Sequence, residues 1–228
     1  MGLYIETRVR ADLETLWERT QEPAEHQRWD LRFTEIDYLP RVDGEPQRFR
    51  YATRVLPFLV VAGTGVSAGE RHRAGGDRVS ALRFASPHPL SLLAEGSGYW
   101  RYVPGPDGIR FLTGYDYRPR WGRLGRIADR LVFRPLMGWA TAWSFDRLRL
   151  WCEHGIAPER SRTHWQLELA ARALLVALCA WTPATLLVAL AAAVLVPPSS
   201  RTPAARRCLR TPPDRAVAPR LLATLEQT

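Results

Sequence analysis

Six strand-length runs follow one another between residues 31 and 118, separated only by tight turns, and this succession constrains the fold more than any other feature of the sequence. They cover residues 31–39, 46–56, 58–72, 77–85, 91–103 and 108–118. The breaks are turn chemistry: Val42-Asp43-Gly44, Ala74-Gly75-Gly76-Asp77, Ser86-Pro87-His88-Pro89 and Pro104-Gly105-Pro106-Asp107-Gly108. Turns this short cannot carry a parallel crossover, so the runs predict an antiparallel meander. An alternating run at residues 3–10 (LYIETRVR) predicts one more strand.

Helical signals flank the meander. Asp12 can cap a helix whose Leu13, Leu16, Trp17 and Thr20 recur at helical spacing, with Trp17 pointing inward. Pro23 suits the first turn of a second short helix ending near Arg28. From Gly122 to about His154 the period is again helical, and Pro135 should kink or divide that stretch. Its second half places Met137, Ala140, Ser144, Leu148 and Trp151 on one side, with Trp143 beside them, as a face for a sheet.

The remainder of the chain is of another kind. Residues 158–166 read as a linker after a domain of residues 1–157. Residues 167–196 are almost wholly apolar, and the 24 residues from Ala173 to Val196 carry no charge, where about 20 suffice to span a bilayer. Trp181-Thr182-Pro183 interrupts them midway. The segment is expected to be transmembrane or re-entrant, the alternative being a buried or dimerising helix. Residues 197–228 form a Pro-, Arg- and Ala-rich tail expected to be largely disordered.

Charge needs the same division. All 32 basic residues are Arg, which GC-rich codons explain better than a polyanionic partner does. Residues 1–158 carry a net +4 and residues 159–228 a net +5, so the short C-terminal part is far more basic per residue. Basic residues beside an apolar run point to anionic lipid headgroups before nucleic acid. Topology poses a conflict. The positive-inside rule holds the arginine-rich tail on the cytoplasmic side, and the N-terminal domain, which lacks an export signal, belongs there too. One span cannot satisfy both. A hairpin turning at Trp181-Thr182-Pro183 could, but each arm has only about 15 residues, too few to cross. A shallow insertion fits.

Metal and cofactor chemistry find no footing. Cys152, Cys179 and Cys208 are odd in number and widely spaced, offering neither a disulfide framework nor a metal pair. His26, His72, His88, His154 and His164 match no metal-binding spacing. The Gly-x-Gly runs at 63–65 and 96–98 sit within strands, so they read as bulges or close packing rather than phosphate loops.

Taken in order, a strand, two short helices, a six-stranded meander and a long closing helix resemble the START/polyketide-cyclase superfamily, also called SRPBCC or birch-allergen-like. Three segments carry the likeness: ADLETLWERTQEPAEHQRWD (11–30), with Pro23 six residues before Trp29; GSGYWRYVPGPDGIRFLTGYDY (96–117), like the last hairpin; and RPLMGWATAWSFDRLRLWCEHG (134–155), like the closing helix. The apolar C-terminal part resembles a degenerate DoxX-like membrane region. The resemblance implies an α+β helix-grip fold, an antiparallel sheet wrapped around a long C-terminal helix, with an apolar cavity between them. Its ligands would be lipids, sterols, polyketides or other hydrophobic small molecules.

Strand alternation then nominates the lining. Ile109, Phe111, Thr113, Tyr115 and Tyr117 share one face of the last strand, and Leu92, Ala94, Gly96, Gly98, Trp100 and Tyr102 share one face of the strand before it. The cavity candidates are Trp100, Tyr102, Phe111, Thr113, Tyr115, Tyr117, Met137 and Trp143; the alternative is that these side chains fill a dry core. Glu70, Glu95, Arg101 and Asp116 are either buried polar groups available for acid–base work or solvated residues of the convex face. Arg123, Arg126, Arg130 and Arg134 recur at helical spacing opposite Leu124, Ile127 and Leu131, as on a helix resting against anionic lipid, or on a solvated helix face. Three functions follow. The first is membrane-tethered binding of a hydrophobic molecule, with that molecule and membrane lipid as partners, no nucleic acid and no cofactor. The second is a cyclase or dehydratase acting in the same cavity. The third is a non-enzymatic membrane scaffold with a filled core.

Overall fold

A computed structural model describes residues 2–41, 43–56, 59–72 and 76–213. The side chains of Glu70 and His72, and residues 214–228 of the tail, lie outside the described residues.

The strands are β1 (Leu3–Val9), β2 (Glu35–Tyr38), β3 (Arg48–Leu56), β4 (Leu59–His72), β5 (Arg78–Ala85), β6 (Leu93–Gly105) and β7 (Gly108–Pro119). They form one antiparallel sheet in the order β1-β7-β6-β5-β4-β3-β2, so β2 to β7 are the expected meander and β1 closes beside β7. The helices are α1 (Leu13–Gln21), α2 (Pro23–Trp29), α3 (Gly122–Ala128), α4 (Arg134–His154), α5 (Pro158–Leu178) and α6 (Pro183–Leu195). Asp12 caps α1, its carboxylate accepting from Thr15 N at 2.7 Å.

Pro135 acts one turn earlier than a simple kink would. A π-helical turn, Asp129–Phe133, joins α3 to α4 without a break in the helical path, and Pro135 follows it in the first turn of α4, so the widened turn accommodates a ring that cannot donate to the turn before it. Gly155 ends α4 in the left-handed region, at φ 63°, where a side chain would be strained.

The core lies between the inner sheet face and α4, and it is mostly aromatic. Phe111 stacks on Phe145 with ring centroids 4.5 Å apart, Tyr102 and Trp100 pack against Phe111, and Trp29 closes the end. Such contacts add to the area they remove from water. The helix is not amphipathic in the expected way. From Thr141 to Trp151 every residue but Arg149 is buried, because the sheet covers one side while α5 and the tail cover the other.

The tail accounts for that second layer, and residues 202–209 correct the expectation of disorder. Thr202, Ala204, Ala205 and Cys208 are buried. Leu209 pairs with Glu6 through two backbone hydrogen bonds of 2.9 Å, which covers part of the otherwise free edge of β1. Asp146, fully buried on α4, accepts from Ala204 N and from Arg207 Nη1, each at 2.8 Å. Low hydrophobicity in the tail is offset by these bonds.

The apolar segment, expected to be transmembrane or re-entrant, is two helices, α5 and α6, broken at Cys179–Thr182, where Thr182 and Thr185 form a capping box. Among the described residues no helix is long and apolar enough to cross a membrane.

Candidate functional site on the inner sheet face

Strand parity sorts the side chains. Register places Phe49, Tyr51, Phe84, Trp100, Tyr102, Phe111, Thr113, Tyr115 and Tyr117 on the inner face, as the alternation in β6 and β7 predicts. A bulge between Leu93 and Glu95 shifts only the start of β6. Glu95, Arg101 and Asp116 lie on the outer face, where Glu95 pairs with Arg118 and Arg101 with Asp77. They are therefore not inner acid–base groups. An open groove of about 950 Å³ crosses that outer face between the β2–β3 turn and β7, lined by both signs of charge.

The inner-face candidates divide into two groups. Trp100, Tyr102, Phe111 and Trp143 belong to the filled core. Tyr102 is held there by its hydroxyl, 2.6 Å from Thr20 Oγ1 and accepting from Gln21 Nε2 at 2.9 Å. Thr113 is buried and donates to the Tyr99 carbonyl across the β6–β7 ladder. Tyr115, Tyr117 and Met137 lie toward the other end, where Tyr115 is still buried but the side chains beyond it are less covered. Phe33, Tyr51, Phe84, Tyr117, Phe133 and Met137 are all only half-buried. Three glycines make room for this aromatic floor. A Cβ at Gly63 would stand 2.4 Å from the Tyr51 ring, one at Gly65 2.2 Å from the Phe49 ring, and one at Gly96 2.6 Å from the Phe84 ring. Close packing, not phosphate binding, explains the two Gly-x-Gly runs.

Between the filled and open ends lies a buried ionic cluster that sequence reasoning missed. Asp30 ends α2 and is 1% exposed. Its carboxylate accepts from Arg32 Nε at 2.9 Å, Arg32 Nη2 at 2.6 Å and Arg32 N at 3.0 Å, and it faces His26 Nε2 at 3.0 Å. Burial alone would raise the Asp30 pKa, but the Arg32 guanidinium and these donors hold it well below the usual carboxylate range. Burial lowers the His26 pKa, against the pull of Asp30. The imidazole is thus kept neutral with its proton on Nε2, toward the carboxylate, and a lone pair on Nδ1. Its ring stacks on Trp29 and meets the edges of Trp100 and Phe33. Arg32 also lies over Tyr115, at 5.7 Å from the ring centre, and the Tyr115 hydroxyl is 3.2 Å from Thr141 Oγ1 on α4. The spacing of His26, Asp30 and Arg32, four residues and then two, was the available signal. It was obscured because a His–x3–Asp pair on a seven-residue helix is also a common surface arrangement.

A second polar chain closes the open end. The Tyr117 hydroxyl donates to Asp129 Oδ1 on the π-helical turn, and Arg134 pairs with Asp129 at 3.4 Å while lying over the Tyr117 ring. Burial, then the bond to Asp129, pushes the Tyr117 pKa up. Arg134 consequently leaves the expected row of surface arginines, whereas Arg123, Arg126 and Arg130 are exposed.

No family model matches the chain. An uncharacterized membrane protein of Bacillus subtilis (strain 168), YndG, is 52% identical over 159 residues, which are 69% of this chain and 59% of that protein. The chain thus spans about three-fifths of the length of that curated relative. Among solved structures, the di-domain aromatase/cyclase StfQ of the steffimycin pathway superposes with a TM-score of 0.50 at 15% identity, covering 71% of this chain and 51% of that one. A STAR-related lipid transfer protein from Xanthomonas axonopodis gives 0.47 at 16%, covering 63% and 81%. The likeness to StfQ is one of fold: an α+β architecture with a seven-stranded antiparallel sheet and a long helix.

Proposed function

We propose that the chain binds a hydrophobic small molecule, lipid-like or polyketide-like, between the inner sheet face and the α3–α4 side, and that it does so at a membrane. One observation carries the reading: the inner face is packed solid at one end and left as half-buried aromatic rings at the other, with Arg32 and Tyr115 at the boundary. An apolar wall with few convergent polar groups is the usual make-up of a small-molecule site. The half-buried Tyr117 and Met137 would line it, with the buried Tyr115 at its boundary; Trp100, Tyr102, Phe111 and Trp143 would support it from the core. The folds with which the chain shares its architecture are compatible with such a cleft.

A second reading has its own observation. The neutral His26 beside ionised Asp30 is a base positioned by a carboxylate, as a cyclase or dehydratase of the same cleft would require. Native mass spectrometry of the whole chain, released from detergent after incubation with fatty acids, sterols and aromatic polyketides, separates the two. Binding that persists in His26→Gln supports the binding role; turnover of a polyketide that is lost in His26→Gln supports the enzyme. A bare mass with every compound overturns both.

A further inference from the structure

The helical hairpin α5–α6 stands on the domain with almost nothing covering it. Leu174, Leu178, Leu187, Val188, Val194 and Leu195 are exposed, and Trp181 at the tip is 89% exposed. From Ala173 to Ser200 there is no charged residue.

Both ends of this hairpin are fastened to the same body. At the start, Ser161 is buried, and Arg147 on α4 donates to the Pro158 carbonyl at 2.9 Å. At the end, Ala204 and Arg207 are held by Asp146, and Leu209 pairs with β1. Chain that leaves the domain after Trp165 is back on it by Thr202, so the excursion begins and ends on one side. This geometry removes the topological conflict in the sequence, where the basic tail and the domain both had to stay on one face.

Its depth can be read from Arg172. That guanidinium pairs with Glu168 at 2.6 Å and donates to the Ala193 carbonyl at 2.6 Å and to Pro197 O at 3.4 Å, tying the two arms together at one level. Beyond it lie nine residues to Trp181, about 14 Å at 1.5 Å per helical residue. Half of a hydrocarbon core of about 30 Å is a close match. Below that level the surface turns basic, with Arg160, Arg162, Arg201 and Arg206 exposed. The apolar surface also continues sideways. Trp139 contacts Trp165 of α5 with ring centroids 6.5 Å apart, and from Trp139 an exposed stripe of Leu136, Leu131, Ile127 and Leu124 runs back along α4 and α3, beside Arg123, Arg126 and Arg130. Leu124, Ile127 and Leu131, expected opposite the arginines, are exposed along with them, as on an interfacial helix.

We infer that α5–α6 is a monotopic hairpin that enters and leaves one leaflet of a bilayer bearing anionic lipid, with the α3–α4 stripe lying in the interface beside it. The inference deepens the membrane association proposed above and is independent of the bound small molecule.

The test uses the full chain, added from outside to phosphatidylcholine–phosphatidylglycerol vesicles. Co-flotation is read first, and a Leu187→Glu/Val188→Glu variant, altered only at exposed positions, should lose at least tenfold of it while keeping its far-UV circular dichroism. The Trp181 signal is isolated as wild type minus Trp181→Phe, and lipids brominated near the chain ends should quench it more than lipids brominated near the headgroup. Arg160→Cys and Ser200→Cys should both react with a membrane-impermeant maleimide added outside, above the native-cysteine background. Absence of flotation, headgroup-level quenching, or a protected Ser200→Cys beside a labelled Arg160→Cys overturns the proposal; the last of these would mean a true crossing. A soluble dimer that shields Trp181 and ignores vesicles also overturns it, in favour of a second copy. Flotation and quenching can succeed while every ligand fails to bind, so the two readings fail separately.

Discussion

Asp146 is the residue on which the order of the tail depends, and its replacement by Ala gives the sharpest prediction. The carboxylate is fully buried and takes three donors: Arg149 Nε at 2.7 Å, Ala204 N at 2.8 Å and Arg207 Nη1 at 2.8 Å. The partners do not lose equally. Arg149 keeps Glu153 at 2.7 Å, and Arg207 keeps the Thr202, Pro198 and Ser199 carbonyls. Ala204 N has no such second partner and is left as a buried orphan, a loss of about 1–3 kcal/mol. Removing one side of a buried ion pair costs about 3–5 kcal/mol in all. For a chain of this size each kcal/mol lowers Tm by about 2–4 °C, so Asp146→Ala should melt roughly 6–20 °C lower. Hydrogen exchange identifies the mechanism. The amides of Ala204 and Leu209 should lose protection, whereas those of β6 and β7 should change only as much as global stability does. A double-mutant cycle with Arg207→Ala should show coupling of about 1.5–3 kcal/mol, the range for a hydrogen bond to a charged group. If Tm falls while Ala204 and Leu209 stay protected, or the two substitutions simply add, Asp146 stabilises α4 alone and does not order the tail.

Three further outcomes are expected. Tyr102→Phe should destabilise by about 1–2 kcal/mol in denaturant melts, because its hydroxyl bonds Thr20 and Gln21 in the core, and leave small-molecule binding unchanged, while Tyr115→Phe should alter binding more than stability. Gly65→Ala should cost about 1–3 kcal/mol by forcing the Phe49 ring off the sheet; a neutral result in a thermal melt would show that the ring has free space to move into. The third concerns acid. The His26 pKa is lowered on folding, so below about 6.5 the unfolded chain takes up a proton that the folded chain refuses, and stability falls with falling pH from there. The depressed Asp30 pKa adds a second loss that begins only near the unfolded carboxylate value of about 3.9. His26→Gln should therefore flatten the stability profile between pH 7 and 5; an unchanged slope there would remove His26 as its source.

What the sequence reveals here follows the range over which each cause acts. Strand runs, the Asp12 cap, Pro23 and the break at Trp181-Thr182-Pro183 are set by neighbours a few residues apart, and all were legible. Inner and outer faces were legible too, because pairing fixes side-chain parity along β6 and β7 once one residue is placed. The tail was not. Its residues 202–209 carry little hydrophobicity, and what orders them is an acid on α4 some sixty residues earlier, together with the edge of β1. Neither contact leaves a local trace. The inner face shows the same limit at finer grain. Alternation places Tyr102 and Tyr115 alike, yet Tyr102 is tied into the core because Thr20 and Gln21 of α1 reach its hydroxyl, whereas the Tyr115 hydroxyl faces Thr141 of α4 and its ring lies between Arg32 and Tyr117. Which tyrosine is tied to α1 and which to α4 is decided by what comes across from the helices, and that depends on the turn from α2 into β2. That turn is built by Asp30: its carboxylate binds Arg32 while Leu31 N donates to Ser144 Oγ on α4 at 2.8 Å. One carboxylate therefore shapes the chain path, keeps Arg32 charged beneath Tyr115 and fixes the tautomer of His26. Substituting it should disturb fold and site together, so the proposed function is better interrogated at the Tyr115 hydroxyl, whose removal leaves the turn from α2 into β2 intact.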